Sequence, residues 1–380
     1  MTQIQTLFID ILRAALKGEV PSGLCEQQLT SDTLLELYRL AKHHDLAQVV
    51  AQVLTKAGIE LPGDLAAAMQ KEQLMAVYRN GQLDFALSEI RHCLDDAKIE
   101  YIPLKGSVIR PYYPDPNMRT SCDIDVLIPE NRLQATIAAL EAAGYRRGNK
   151  NYHDVSMFSP HGIHLELHFN IQENMDNLDL VLGHAWKHTS PDEAGGYKFS
   201  NEFFAFHIFA HMAYHFLAGG CGIRPLMDIW VMEHKMGVTY VDAEALLEKA
   251  GIYRFAQYMS ELATRCFDSG ELADTSVLEY IFKGGIYGSM QNKVTVQKEA
   301  TGSTLSYALK RIFLPYKTMV SVYPVLKKAP YLLPFCHVAR WLRILFGGRA
   351  RHAVSELTHT MDVSEKEMAQ VKALRDRLGL

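Results

Sequence analysis

The sequence predicts an α+β protein in which a small mixed β-sheet at residues 99–172 sits between two helical regions, 1–98 and 173–380. Three observations lead there. Apolar residues recur at helical spacing over long stretches at both ends. The block 99–172 alternates short apolar runs with helical segments. Inside that block, Val155 to Phe158 and Ile163 to Phe169 flank Ser159-Pro160-His161-Gly162, a turn sequence that predicts a hairpin.

Taken in order, Phe8, Ile11, Leu12 and Ala15 mark a first amphipathic helix. Ser31-Asp32 supplies cap chemistry ahead of Leu34, Leu37 and Leu40. His43-His44-Asp45 interrupts that pattern and reads as a solvated turn before a helix from Leu46 to Lys56, stopped at Gly58. A long helix from Asp64 to Lys98 then leads into a strand at Tyr101. Gly106 to Tyr112 suits a short helix, with Pro111 and Pro114 ending it. Asn131 to Ala143 is rich in Ala and Leu and stops at Gly144. Phe203 to Leu217 is an apolar helix, and Glu365 to Leu378, headed by Ser364, closes the chain.

Composition excludes little. Hydrophobic residues make up 48%, charged residues 22%, and the net charge is −4, so no bulk positive field points to nucleic acid. The cysteines (Cys25, Cys93, Cys122, Cys221, Cys266 and Cys336) form no C-x-x-C pair and are too scattered for a disulfide framework. The N-terminus, with an acidic residue in its apolar pattern, does not read as a signal peptide. No run approaches the roughly 20 apolar residues of a membrane span. The expectation is a cytoplasmic protein with reduced thiols.

The chemistry gathers in Tyr101 to Pro129, YIPLKGSVIRPYYPDPNMRTSCDIDVLIP. On a strand, Asp123 and Asp125 face one way while Ile124 and Val126 face the core. Cys122 is expected on the core side as well. Asp-Ile-Asp also suits the solvated face of an edge strand, but two neighbouring carboxylates repel unless a cation lies between them. Hard divalent cations take such oxygen ligands together with phosphate oxygens. Gly106-Ser107 follows a strand and opens a helix, where backbone approaches a phosphate closely. Glu166, between apolar neighbours on a later strand, supplies a third carboxylate.

These residues carry a resemblance. Gly-Ser after a strand, Asp-x-Asp on the next strand and a lone acid on a later one are similar to the DNA polymerase β-like nucleotidyltransferase superfamily. The string LKG…YP-x-P…R-x-x-x-DID-x-LI, followed by ELHF, resembles a bacterial family called simply nucleotidyltransferase family protein. The likeness covers Leu104 to His168, with echoes in His211, His215 and GIRPLMDI as far as Trp230. Two features depart from the pattern: the Val108–Cys122 separation is slightly long, and the third acid is Glu.

The resemblance implies transfer of an NMP group from an NTP to an acceptor hydroxyl, with release of pyrophosphate. Asp123, Asp125 and Glu166 would hold Mg²⁺ or Mn²⁺, two ions about 3.5–4 Å apart. Gly106 and Ser107 would cradle phosphates, and Lys105 and Arg119 are the cations nearest to them in sequence. His164 and His168 share the strand face of Glu166 and are candidates to touch substrate. His207, His211 and His215 follow at i, i+4 steps; without an H-E-x-x-H acid they suit a structural or substrate-lining role better than a zinc site. Arg224 either pairs with Asp228 on the helix surface or, with the glycine-rich turn 219–222, closes over the site. The spacing R-x-x-x-DID is similar to that of aminoglycoside-modifying nucleotidyltransferases, so a small molecule, a sugar or a protein side chain are all open as acceptor.

Two rival readings remain at this point. One is a silent nucleotide-binding sensor. The other is a mononuclear metal hydrolase using His164, Glu166 and His168, which a strand would hold about 6.6 Å apart in succession. Finally, 304–348 mixes aromatic and aliphatic residues with Lys310, Arg311, Lys317, Lys327, Lys328, Arg340 and Arg343. A core-packed lobe with a basic edge is the expectation, with contact to a membrane surface or an acidic partner as the alternative.

Overall fold

The computed structural model describes residues 1–21, 23–24, 29–270, 272, 274–285, 288, 312–346 and 365–380. Cys25, Ser364 and residues 304–311 and 347–348 lie outside them. The architecture is mixed α+β, mostly helical with a small mixed sheet.

Helices α1 (Gln3–Lys17), α2 (Ser31–His43), α3 (Ala47–Lys56) and α4 (Gly63–Asp96) open the chain. The cap of α2 is Thr30, whose side chain accepts from the Thr33 amide, rather than Ser31-Asp32. The turn after α2 is only half solvated: His44 is 1% exposed and packs edge-on against Phe282, whereas His43 faces out.

Five strands form the sheet: β1 (Ile102–Pro103), β2 (Asp123–Leu127), β3 (Arg146–Lys150), β4 (Asp154–Phe158) and β5 (His164–His168). Their spatial order is β1-β2-β5-β4-β3, with β2 and β5 parallel and the other pairs antiparallel. The β4–β5 hairpin forms as its turn sequence requires. Between β1 and β2 lies α5 (Gly106–Ile109), extended by a tighter turn at Arg110–Tyr112; between β2 and β3 lies α6 (Leu133–Ala142).

Alternation decides which face is buried. Ile124 and Val126 of β2, Leu165 and Leu167 of β5, and Val155 and Met157 of β4 pack against Leu83, Ile90 and Leu94 of α4 and Ile137 and Leu140 of α6. The opposite face therefore presents Asp123, Asp125, His164, Glu166 and His168. Cys122 is exposed, contrary to expectation, because it precedes the first paired residue of β2 and no strand partner turns it inward.

A second, larger core joins the N-terminal helices to the helices after the sheet. These are α7 (Asp176–Leu182), α8 (Asn201–Ala218), α9 (Arg224–Val231), α10 (Glu244–Lys249), α11 (Tyr253–Thr264) and α12 (Ser276–Gly284). A two-stranded ribbon, β6 (Thr189–Pro191) with β7 (Tyr197–Phe199), precedes α8. No helix among the described residues is long and apolar enough to cross a membrane.

Candidate active site

A cavity of about 420 Å³ lies between the polar face of the sheet and α8. Asp123, Asp125, Glu166 and His168 line the sheet side; His207, His211 and His215 line the helix side. Lys105 precedes α5, Gly106 and Ser107 open it, Arg119 comes from the loop ahead of β2, and Arg224 from the start of α9.

The parallel pairing of β2 and β5 sets the carboxylates. Asp123 is level with His164, Asp125 with Glu166, and Leu127 with His168. Two donor groups follow, each with ligand atoms within 4.8 Å of one another: Asp123–His164–Glu166 and Asp125–Glu166–His168. Glu166 belongs to both. His164, Glu166 and His168 do not form a group by themselves among the described residues, as expected for alternate residues on one strand.

Electrostatics separate the two aspartates. Burial raises the Asp123 carboxyl, and the negative charges of Asp125 and Glu166 raise it further. Burial acts upward on Asp125 too, but Lys105 and His168 outweigh it and hold this carboxyl far below the usual range. Lys105 Nζ donates to Asp125 Oδ1 at 3.2 Å, and His168 Nε2 donates to the same oxygen at 2.8 Å. Burial alone would lower His168, yet its bonds to Asp125 and Glu166 lift it to about 9. Asp125 is thus ionised at neutral pH and held by two cations.

Lys105 occupies a backbone conformation that side chains rarely adopt, φ 46° and ψ −113°. Its ammonium is tied to Asp125 rather than left free for phosphate. The Ser107 amide donates to Leu104 O at 3.1 Å, so the turn already uses it and only the Ser107 hydroxyl is offered to the cavity. Arg119 is also engaged: its Nε donates to Asp228 Oδ1 at 2.8 Å, and Tyr113 donates to the same oxygen at 2.6 Å. The surface pairing of Arg224 with Asp228 does not form. Arg224 instead donates to Asp45 Oδ2 at 3.3 Å and to Thr120 O at 3.0 Å, because Asp228 points inward to Arg119.

On α8, burial and Lys105 keep the histidines neutral: His207 falls to about 3 and His215 to about 4, and His211 lies well below its usual value. His211 Nδ1 faces Glu173 Oε1 at 3.3 Å, and His211 and His215 meet through their Nε2 atoms at 3.1 Å. A neutral imidazole offers one donor and one acceptor. With Nδ1–H given to Glu173, His211 Nε2 accepts from His215.

Sequence reasoning missed Glu173, Asp45, His153 and Tyr113. Glu173 stands in an irregular loop after β5, and no periodicity singles it out. Asp45 was visible only as part of a turn.

A family described as "Uncharacterised nucleotidyltransferase" matches residues 31–268, more than half of the chain. The chain belongs to this family. The matched span contains every cavity residue named above. Among solved structures, the chain is similar to an antigenic nucleotidyltransferase-like protein from Paracoccidioides brasiliensis, with 15% identity and a TM-score of 0.32. That likeness covers 52% of this chain and 96% of the other. No curated protein matches. As a family member the chain is a nucleotidyltransferase at the general level, with clusters of acidic and histidine side chains that could hold a metal ion.

Proposed function

We propose that the chain is a metal-dependent nucleotidyltransferase of the DNA polymerase β-like kind and of bacterial type. It moves an NMP group from an NTP such as ATP to an acceptor hydroxyl and releases pyrophosphate. The observation that carries this is the register of β2 and β5, which sets Asp125 beside Glu166 with Asp123 one strand repeat away.

The donor set fits Mg²⁺ or Mn²⁺. Carboxylate oxygens dominate it, and the buried His164 Nε2 has no protein partner. Asp123, Asp125 and Glu166 would hold the metal, two ions in the full complement, and the metal would neutralise the charge of the triphosphate and its leaving group. Lys105 and His168 orient Asp125 by fixing one of its oxygens. Glu166, more exposed than Asp125, receives the proton of the acceptor hydroxyl at its carboxylate. Gly106 and the Ser107 hydroxyl form the phosphate side. The Arg119 guanidinium lies directly beneath Gly106, about a van der Waals contact from where a Cβ would stand, and adds positive charge from behind. His211, His215 and Arg224 bound the side open to the acceptor, which is a small molecule, a sugar or a protein side chain, while His164, outside the cavity lining, stays with Asp123 and Glu166.

The same reading divides the chain into 1–98, a catalytic core 99–172, and 173–380. We place the reaction in the cytoplasm, where NTP and Mg²⁺ are plentiful; Cys93, Cys122, Cys221, Cys266 and Cys336 are all free thiols. The test is thermal stabilisation by MnATP together with pyrophosphate release in the presence of cell lysate, both lost in Asp125→Asn. Stabilisation without pyrophosphate release would mark a nucleotide sensor, and retention of both in Asp125→Asn would refute the assignment.

A further inference from the structure

Residues 312–346 build a small lobe with its own interior. The helices Tyr316–Val322 and Leu333–Phe346 and the turns Pro324–Lys327 and Pro330–Leu332 pack on one another around Met319, Leu326 and Cys336. This core is separate from the two larger ones. The lobe also carries an outward apolar stripe. Tyr331 and Phe335 are 76% and 71% exposed, and Val338 and Leu342 are about half exposed. Steps of three and four residues put Phe335, Val338 and Leu342 on one face of the helix, and Tyr331 stands in the turn just ahead of it. Nothing among the described residues covers that face. Large side chains aligned in this way, rather than scattered singly, mark an interaction surface.

Charge narrows what the surface fits. The segment holds Lys317, Lys327, Lys328, Arg340 and Arg343 and no Asp or Glu. Lys327, Lys328 and Arg343 are exposed, and Arg343 lies over the Tyr323 ring. A second copy of the chain would set like charges against each other around the stripe. A phosphate backbone would meet the cations but leave Val338 and Leu342 in water. An anionic bilayer offers apolar depth beside fixed negative charge, which is what an apolar helical stripe with basic flanks requires.

We propose that residues 312–346 seat the protein on anionic phospholipid surfaces. Tyr331, Phe335, Val338 and Leu342 enter the boundary between headgroups and acyl chains, and Lys327, Lys328 and Arg343 meet the headgroups. No described helix is long and apolar enough to span, so the contact is peripheral. It stands apart from the nucleotidyl-transfer reading, since it uses no cavity residue.

The experiment is co-sedimentation of the full-length protein with vesicles of phosphatidylcholine alone or mixed with phosphatidylglycerol. The protein is expected to pellet with mixed vesicles, to be released by high salt, and to bind pure phosphatidylcholine at least about tenfold more weakly. Phe335→Ser should weaken binding about tenfold, and Lys327→Gln and Lys328→Gln roughly fivefold each. All three positions are exposed, so the variants keep the wild-type circular dichroism spectrum. Equal binding to both vesicle types, no binding to either, pelleting without vesicles, or variants that bind like the wild type would each overturn the proposal.

Discussion

Arg119 and Asp228 meet at 2.8 Å with both side chains about nine-tenths buried, joining the loop ahead of β2 to helix α9. Burial works against the Arg119 charge, but Asp228 more than compensates and raises the guanidinium pKa further. The pair ties the wall behind the phosphate side of the cavity to the helical lobe. Removing one partner leaves the other charged and buried, which typically costs about 3–5 kcal/mol. Asp228→Ala is therefore expected to lower unfolding free energy by about that amount in urea titrations. Tyr113→Phe, which removes only a hydroxyl bonded to the same carboxylate, should cost about 1–2 kcal/mol.

Lys105 occupies a place beside Asp125 that a metal ion would contest. Lys105→Met removes one of the two cations on that carboxylate. Mn²⁺ alone should then raise the melting temperature of the variant by more than it raises the wild type's, while the additional rise on adding ATP should shrink. Differential scanning fluorimetry with metal and nucleotide added in sequence reads both. An identical metal response in the two proteins would show that Asp125 does not bind the ion.

His44 gives the fold an acid limit. Its ring is buried, its Nδ1 accepts from the Ile223 amide at 3.4 Å, and burial followed by repulsion from His43 lowers its pKa to about 4. An unfolded chain takes up this proton near pH 6.5, so between there and pH 4 the unfolded state binds more protons and stability falls with pH. The stabilisation is complete above about pH 7, and the loss on acidification approaches about 3 kcal/mol from this one residue. Unfolding free energies at pH 7 and pH 5 should differ less in His44→Phe than in the wild type.

Gly196 tests the junction of ribbon and sheet. Its φ is +70°, and a Cβ there would stand 2.6 Å from the Tyr101 ring and 2.8 Å from the Tyr101 carbonyl oxygen. Tyr101 is fully buried against the sheet and cannot retreat. Gly196→Ala should cost at least about 2 kcal/mol, measured by the urea midpoint at an unchanged slope.

What was legible in the sequence follows from where the deciding physics lies. Period-two alternation in DIDVL and HLELH announced which side chains leave the core, and turn residues announced the β4–β5 hairpin. Strand β3 was invisible because RRGNK is exposed throughout and carries no alternation; only pairing with β4 makes it a strand. The donors on α8 could be read from their spacing, but Glu173 could not, since its partner His211 is brought to it by the fold. The surface pairing of Arg224 with Asp228, one of its two readings, fails for the same reason. Neighbours in sequence suggested one pairing, and tertiary packing supplied better partners.

The alignment of β2 with β5 has a consequence for how this chain can change. Backbone hydrogen bonds, not contacts among the acids themselves, decide which side chain stands opposite Asp125. A frame shift of a single position in β5 would turn Glu166 into the packed interior and bring a leucine out in its place, and the same shift in β2 would bury Asp123 and Asp125. Insertions in the surrounding loops carry no such penalty. Descendants of this sequence are therefore free to remodel what the cavity admits, while the spacing of its three acids stays locked.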